Sequence, residues 1–151
     1  MAKRTIWLGA VLAAAALVGT AAAQDAITAR QAEYKELGKR MGAIKDTVVD
    51  KKGGTLADVA ANAEYIAGKL PQIPSWFPKG SEKGSVETWA LPKIWEDPAG
   101  FEAAARNAQD LATKLVAAAR SGDPAATTAA FATLGKEGCG GCHQPFRRPK
   151  S

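Results

Sequence analysis

Few residues in this chain are of the types that build metal clusters. Its 151 residues include two cysteines, one histidine and two methionines. A structural zinc site takes four ligands, so three Cys and His residues are too few for one. No basic run with interleaved aromatic residues predicts a nucleic-acid surface, and the sequence has no internal repeat. Residues 6–18 form the one long apolar stretch, and no other stretch approaches the length and apolar character of a membrane span. The chemistry of the chain must therefore lie in a small number of residues.

Both cysteines and the histidine fall within five consecutive residues, Cys139-Gly140-Gly141-Cys142-His143. This spacing is typical of a c-type haem attachment site, in which two thiolates form thioethers and the adjacent imidazole becomes the proximal iron ligand. If the segment is helical, the three side chains share one face because they are three and four positions apart. The sequence predicts one covalently attached haem c per chain, held by Cys139 and Cys142, with His143 as the proximal axial ligand.

A Cys-x-x-Cys pair has two other uses, as a redox dithiol or as a plain disulfide. A thioredoxin-like pair opens a helix after a strand, whereas this pair closes an alanine-rich stretch and no strand pattern precedes it. A disulfide would leave His143 without a role. Haem attachment is the favoured interpretation, and dithiol or disulfide chemistry is the alternative.

The N-terminus has the three parts of a secretory signal peptide. Lys3 and Arg4 form a basic region, residues 6–18 an apolar region and residues 21–23 an alanine cleavage site. The apolar run is shorter than the roughly 20 residues that a membrane span needs. We predict that residues 1–23 are removed and that residues 24–151 form one domain, exported to the periplasm and free of the membrane after processing.

Four amphipathic stretches predict four helices. Apolar side chains recur at spacings of three and four along residues 26–51. Thr55 is a good N-cap for a second helix, which Pro71 ends. Asp97 and Asp123 each precede a proline, which is a start signal for the third and fourth helices. The predicted core of the first two helices consists of Ile27, Tyr34, Leu37, Met41, Ile44, Val48, Leu56, Val59, Ala63, Ile66 and Leu70.

The connection over residues 71–96 is long and contains Trp76, Trp89 and Trp95. Long connections in compact domains are usually functional or disordered, and three tryptophans argue against disorder. The sequence therefore predicts an all-α fold, an antiparallel up-down-up-down four-helix bundle with a long ordered crossover between helices 2 and 3. Alanines at 104, 105, 108, 129 and 130 leave room for a cofactor between the helices.

The iron has few candidate ligands opposite His143. After processing, Met41 is the only methionine, and methionine also serves as core filler. Lysines are protonated near neutrality, and the Tyr34 phenol would have to deprotonate in order to bind well. We therefore predict a five-coordinate iron with an open distal face that binds NO and CO, with O₂ as a weaker candidate.

Two other functions are alternatives to gas binding. One is a low-spin, six-coordinate electron carrier in which Met41 or another group binds the iron. The other is an enzyme such as a peroxidase, which is disfavoured because no second histidine or distal acid–base group is present. We therefore assign no catalytic residue and expect a protein that is not an enzyme.

The chain resembles the cytochrome c′ family over nearly all of its mature length. Arg30-Gln31 followed by Tyr34, residues 76–81, residues 92–95 and residues 139–147 carry the resemblance. It implies a high-spin, five-coordinate haem that binds NO and CO. It also implies a homodimer formed through the first two helices, for which Val49, Ala57 and Tyr65 are suggestive.

The resemblance also implies roles for single residues. Arg30 and Gln31 match positions near the haem edge and propionates, where a guanidinium can pair with a carboxylate. Tyr34 matches the position that overhangs the distal iron face. Arg147 matches a residue beside the proximal imidazole, and Thr88 a haem contact in the crossover. Because Tyr34 puts a hydroxyl where an aliphatic side chain would make a drier pocket, the family's gas affinity does not carry over.

Overall fold

A computed structural model describes residues 9–149, with side-chain surroundings from residue 22 onward. Four long helical segments in this part of the chain form the bundle, and the last of them is a continuous C-terminal rod over residues 124–146 with a π-helical segment in its middle. The predicted all-α four-helix bundle is confirmed. The elements are α1 (Gly9–Val48), α2 (Leu56–Lys69), a 3₁₀ segment (Leu70–Trp76), α3 (Lys93–Glu96), α4 (Pro98–Arg120), α5 (Pro124–Thr133), the π-helical segment (Leu134–Cys139) and α6 (Gly140–Phe146).

The first helix starts earlier than the predicted Ala26. It begins at Gly9 and passes without a break through residues 21–23, the predicted cleavage site. Alanine has the highest helix propensity, so nothing in this alanine-rich stretch stops the helix. Lys3 and Arg4 of the predicted signal lie outside the described residues. Among residues 9–149, no helix combines the length and the apolar character that a membrane crossing requires.

The predicted N-cap at Thr55 is confirmed. Its hydroxyl accepts a hydrogen bond from the Asp58 N–H at 3.2 Å, and the Asp58 carboxylate accepts one from the Thr55 N–H at 2.8 Å. This reciprocal capping box satisfies backbone donors that the first turn leaves free. Gly53 and Gly54 precede it with positive φ angles of 124° and 92°, a region that favours glycine. The turn between α1 and α2 is therefore encoded locally.

Replacing Thr55 by alanine is expected to lower the free energy of unfolding by about 1 kcal/mol, because the cap is lost. Urea unfolding measures this change, and Thr113→Ala is the control, because the exposed Thr113 hydroxyl bonds only to the Gln109 carbonyl within its own helix. Hydrogen bonds from Thr55 lower the pKa of Asp58. The stabilisation is therefore present above the ordinary aspartate pKa and is lost as the pH falls through the lowered folded-state value. Equal stability of the two variants at neutral pH would contradict the prediction.

The hydrophobic core follows the predicted stripes, except that Leu56 on α2 is only partly buried and that α1 has two exceptions. Ile27, Ile44 and Val48 are buried, whereas Tyr34 and Met41 are only half-buried. Both exceptions line a cavity. The remaining core is built mainly by α2 and α4, the pair with the most extensive packing. It includes Val59, Ala63, Ile66, Leu70, Ile73, Ile94, Phe101, Ala105, Ala108, Leu111, Ala112, Leu115, Ala119, Leu134 and Phe146.

The crossover is ordered by aromatic packing and by hydrogen bonds to α1. Trp76, Phe77 and Trp95 pack against the core. The Gln24 side-chain oxygen accepts hydrogen bonds from the Ser85 hydroxyl at 2.7 Å and from the backbone N–H at position 86 at 3.1 Å. The predicted order of this segment is therefore confirmed, and its course depends on contacts with the first helix.

A second set of contacts ties the crossover to the end of the C-terminal rod. The Leu91 N–H donates to the Phe146 carbonyl at 3.0 Å, and the Arg148 N–H donates to the Trp89 carbonyl at 2.8 Å. An isolated antiparallel bridge pairs Ala90 with Arg147, the residue that follows α6. Trp89 itself remains 38% exposed. The crossover thus spans the gap between α1 and α6 and closes one side of the cavity.

Candidate haem-binding site

A cavity of about 990 Å³ lies between α1, the crossover, α4 and the C-terminal rod. Its volume is at the upper end of the roughly 300–1,000 Å³ typical of small-molecule and cofactor sites. Most of the wall is apolar, built by Leu37, Met41, Leu70, Ile73, Phe77, Ile94, Phe101, Ala105, Ala108 and Phe146. Of the alanines predicted to leave room, 105 and 108 line the cavity, whereas 104, 129 and 130 do not. The shape and lining suit a large, flat, mostly apolar group.

Cys139, Cys142 and His143 all line this cavity. Cys139 ends the π-helical segment, and α6 carries the other two. The rod approaches α4 closely at Gly138, where a Cβ atom would lie 3.3 Å from the Ala108 Cα. A side chain here would need its neighbours to shift by a few tenths of an ångström, so the close approach favours glycine. The local structure brings all three predicted attachment residues to the same side of the rod, and no disulfide joins the two cysteines.

Burial sets the protonation of these three side chains. It raises the pKa of both thiols, and that of Cys142 reaches about 11 with a contribution from the nearby Cys139. Burial, together with the Arg147 guanidinium, lowers the pKa of His143. The imidazole is therefore neutral at pH 7, which is the form that binds a metal. The thiols are protonated at this pH and are weak nucleophiles unless a partner activates them.

Arg30 is the one cation-bearing side chain buried among the described core residues, at 3% exposure. Its guanidinium donates to the Ser81 hydroxyl and to the Ser81 carbonyl, each at 2.9 Å, and to the Thr88 hydroxyl at 3.1 Å. It also lies 4.6 Å from the centroid of the Phe77 ring. Within residues 22–149 its hydrogen-bond partners are all neutral, and Glu82 attracts it without forming an ion pair. Because a buried charge is costly unless it is paired, this cation on the cavity wall suits an anionic group in the cavity.

The other predicted site residues also line the cavity. Gln31 is exposed at its edge and donates to the Glu87 carbonyl at 2.7 Å. Thr88 follows Glu87 in the crossover. The Arg147 guanidinium lies 5.8 Å from the centroid of the Trp89 ring. The structure therefore gathers every residue predicted for the site around one cavity.

Tyr34 lines the same cavity from α1. Its ring makes edge-on contacts with Trp76 and Phe77, with centroids 5.6 Å and 6.3 Å apart. Burial raises the pKa of its phenol, and the nearby Cys142 adds to this effect while Arg30 opposes it. The phenol therefore keeps its proton at neutral pH and is a hydrogen-bond donor, as the sequence argument required.

Sequence reasoning missed Ser81 as part of the site. This residue is 1% exposed, and its hydroxyl accepts from Arg30 while donating to the Pro78 carbonyl at 2.8 Å. The Pro-Lys-Gly-Ser sequence at residues 78–81 indicates a turn. It does not indicate which helix the turn touches, since Arg30 is 51 positions away.

The donor set fits a haem group. Two thiols and a neutral imidazole lie on one wall, a buried cation lies nearby, and the rest of the cavity is apolar, as a macrocycle with two carboxylates requires. A helical bundle that presents a Cys-x-x-Cys-His sequence from its last helix into such a cavity has the architecture of a bundle-type c-type cytochrome.

Comparison with known proteins places the chain more narrowly. The sequence model of the family described as Cytochrome C′ matches residues 25–147. The chain is 34% identical over 144 residues to cytochrome c′ of Rhodospirillum rubrum, covering 91% of this chain and 95% of that protein. It is 36% identical over 121 residues to cytochrome c-556 of Agrobacterium tumefaciens, covering 80% and 95% of the two chains.

Solved structures agree with the sequence comparison. A nitric oxide complex of a mutant cytochrome c prime from Alcaligenes xylosoxidans superposes with a TM-score of 0.73 at 30% identity, covering 84% of this chain and 97% of that one. Cytochrome c′ from Thermochromatium tepidum gives a TM-score of 0.74 at 29% identity over 84% and 97%. The chain belongs to the cytochrome c′ family, whose members carry covalently attached haem c.

Proposed function

We propose that this chain is a periplasmic haem protein that binds small gases such as NO and CO on one side of its iron and can transfer electrons. When bound, the haem supplies a redox-active iron that also takes diatomic ligands. The observation that carries the proposal is the difference between the iron-binding side chains that α6 and α1 bring to the cavity. α6 brings the neutral imidazole of His143 to the cavity, and α1 brings Tyr34, Leu37 and Met41 to it.

The attachment roles follow from position. Cys139 and Cys142 would hold the group by thioether bonds, and His143 would bind the iron from the same wall. Arg147 lies close enough to His143 to affect the pKa of its imidazole, so its positive charge would modulate how strongly the imidazole donates to iron. Arg30 would pair with a carboxylate at the edge of the macrocycle, with Gln31 beside it.

The α1 side chains that line the cavity support an open coordination position on the iron. A protonated phenol and an aliphatic side chain do not bind haem iron well. Among the described α1 residues that line the cavity, Lys35 is exposed and Met41 is the strongest candidate ligand. Met41 is half-buried against the core, which is the ordinary packing role of methionine. Its presence in the cavity nevertheless keeps a low-spin, six-coordinate electron carrier as the second candidate function.

Export and assembly complete the proposal. Removal of residues 1–23 would leave Gln24 at the start of the mature chain, in the periplasm where the haem is attached. A homodimer through α1 and α2 is proposed from the family resemblance and from Val49, which is 49% exposed at the end of α1. One related structure is of a cytochrome c′ with ligand-controlled dimer dissociation. No enzymatic activity is proposed.

The absorption spectrum of the reduced protein tests the function directly. Protein purified from a host that ligates haem is expected to be high-spin and to change its spectrum when CO or NO is added. Met41→Leu is the matched variant, because leucine conserves the volume but cannot bind iron. If the iron is five-coordinate, the variant and the parent have the same spectrum. A low-spin parent that becomes high-spin in the variant would establish the second candidate instead.

A further inference from the structure

The C-terminal rod changes its winding immediately before the attachment residues. Its π-helical segment, Leu134–Cys139, lies between the regular helices α5 and α6. At the end of the segment the Gly140 N–H donates to the Gly135 carbonyl, five positions earlier in the chain. A π-helical turn holds more residues than an α-helical turn, and such turns occur frequently at functional sites. This wide turn therefore sets the orientation of the attachment residues relative to α5.

The inward face of the rod keeps one direction across the wide turn. Its positions recur every four residues, at Leu134, Gly138, Cys142 and Phe146. Leu134 and Phe146 are 0% and 5% exposed. A stripe on a regular α-helix mixes spacings of three and four, and three successive steps of four would turn Phe146 about 120° away from Leu134. One extra residue in the turn reduces this difference to about 20°, so the wide turn aligns the two halves of the rod.

α4 is the common neighbour of this inward face. The centroids of the Phe146 and Phe101 rings are 5.1 Å apart. Gly138 approaches Ala108 so closely that a Cβ atom on the glycine would lie 3.3 Å from the Ala108 Cα. α4 also packs on α5. The rod can follow α4 along its whole length because its inward face does not rotate away. With a regular turn, the attachment residues would be rotated by about 100°, which is the turn of one residue.

Asn107 of α4 joins the wide turn through its side chain. Its amide N–H donates to the Glu137 carbonyl at 3.2 Å. Asn107 precedes Ala108 in α4, so this hydrogen bond lies beside the close approach at Gly138. A backbone carbonyl in a wide turn departs from the regular α-helical ladder and gains from a donor outside its own helix. The hydrogen bond and the close approach together hold the wide turn against α4.

We propose that the π-helical segment is the element that positions the haem-attachment residues, and that Asn107 is a positioning residue that holds the wide turn against α4. The extra residue in the turn brings Cys139, Cys142 and His143 round to the cavity that all three line. The same sequence wound as a regular α-helix would turn them away from it. The inference rests on the attachment roles assigned in the proposed function.

Changes of chain length by one residue test the positioning role of the segment. Deletion of the exposed Lys136 would leave a regular turn between flanks that keep their relative orientation. The haem-loaded variant should therefore retain the optical and EPR spectra of the parent. Insertion of one alanine after Lys136 would rotate α6 by about 100°, so this variant should lose the parent's spectra and unfold at a lower urea concentration. In a rod wound as a regular α-helix the two changes would do equal damage.

Asn107→Ala tests the residue that holds the wide turn. Loss of one neutral hydrogen bond should speed hydrogen exchange over residues 134–140 by about fivefold. It should also change the EPR line shape of the ferric iron, because the imidazole on α6 is held less firmly. Arg106→Ala is the matched control, since Arg106 is the exposed neighbour in α4 and pairs with Glu102 in the same helix. When Lys136 is also deleted, Asn107→Ala should no longer alter either readout, because the wide turn is gone.

The two sets of variants distinguish failure of the inference from failure of the proposed function. Equal spectra in the deletion and insertion variants, whether kept or lost, would overturn the inference. An Asn107→Ala variant that matches Arg106→Ala in hydrogen exchange and line shape would also overturn it. Both results leave the proposed function intact when the parent binds gas. A parent that carries no covalent haem would overturn the inference and the proposed function together.

Discussion

Replacing Cys139 and Cys142 together by alanine is expected to abolish covalent haem attachment in a host that ligates haem. The purified mature chain should have the mass of the bare polypeptide, and any haem that remains should be extracted by acidified organic solvent. The reason is that thioether bonds need these two sulfurs, and the chain has no other cysteine. The apolar cavity of about 990 Å³ would lose its covalently held occupant, so the protein should also unfold at a lower urea concentration.

His143→Ala is the matched variant that separates attachment from iron binding. It is expected to keep both thioethers, and therefore the mass of the haem-loaded chain, while changing the optical spectrum because the imidazole ligand is lost. Haem that resists extraction in the double cysteine variant would show that another residue holds it. A spectrum unchanged in His143→Ala would show that the iron is bound elsewhere.

Arg30→Ala is expected to lower the free energy of unfolding by about 3 kcal/mol. Its guanidinium makes three hydrogen bonds to the crossover, and hydrogen bonds from a charged donor contribute roughly 1.5–3 kcal/mol each without adding fully. Removing it leaves the buried Ser81 hydroxyl and carbonyl without this donor. Hydrogen exchange should therefore increase over residues 80–89, where the crossover would loosen.

Two further variants make this prediction specific. Arg30→Lys keeps the charge but not the planar fork that reaches Ser81 and Thr88 together, so it should recover only part of the loss. Arg106→Ala is the control, because Arg106 is 64% exposed and its only ion pair is with Glu102 in the same helix. Arg106→Ala should change the free energy of unfolding by less than about 0.5 kcal/mol. Equal stabilities of the Arg30 and Arg106 alanine variants would contradict the role of Arg30.

The same series tests whether Arg30 also pairs with the haem. A buried cation without an anionic partner costs free energy, and this cost offsets part of the hydrogen-bond energy in the haem-free chain. A carboxylate of the haem would remove that cost. Arg30→Ala should therefore lower the free energy of unfolding more in the haem-loaded protein than in the haem-free double cysteine variant. Equal losses would indicate that the guanidinium acts on the crossover alone.

Much of the fold could be predicted because its signals are local. The three- and four-residue spacing along α1 and the caps at Thr55, Asp97 and Asp123 all act within a few residues of where they stand. The attachment sequence at residues 139–143 is local in the same way, since a single helical turn places its side chains on one face. These features needed no knowledge of the rest of the chain.

The rest depends on contacts between distant parts of the chain. The sequence by itself determined the four helices and the class of cofactor, and it predicted the attachment residues. Only the tertiary structure decided that Arg30 reaches Ser81 and Thr88, which are 51 and 58 positions away, and that the Tyr34 ring packs against Trp76 and Phe77 on the cavity wall. The reason is physical: periodicity specifies which face of a helix is apolar, but the partner of a buried polar group is chosen by whichever segment packs beside it.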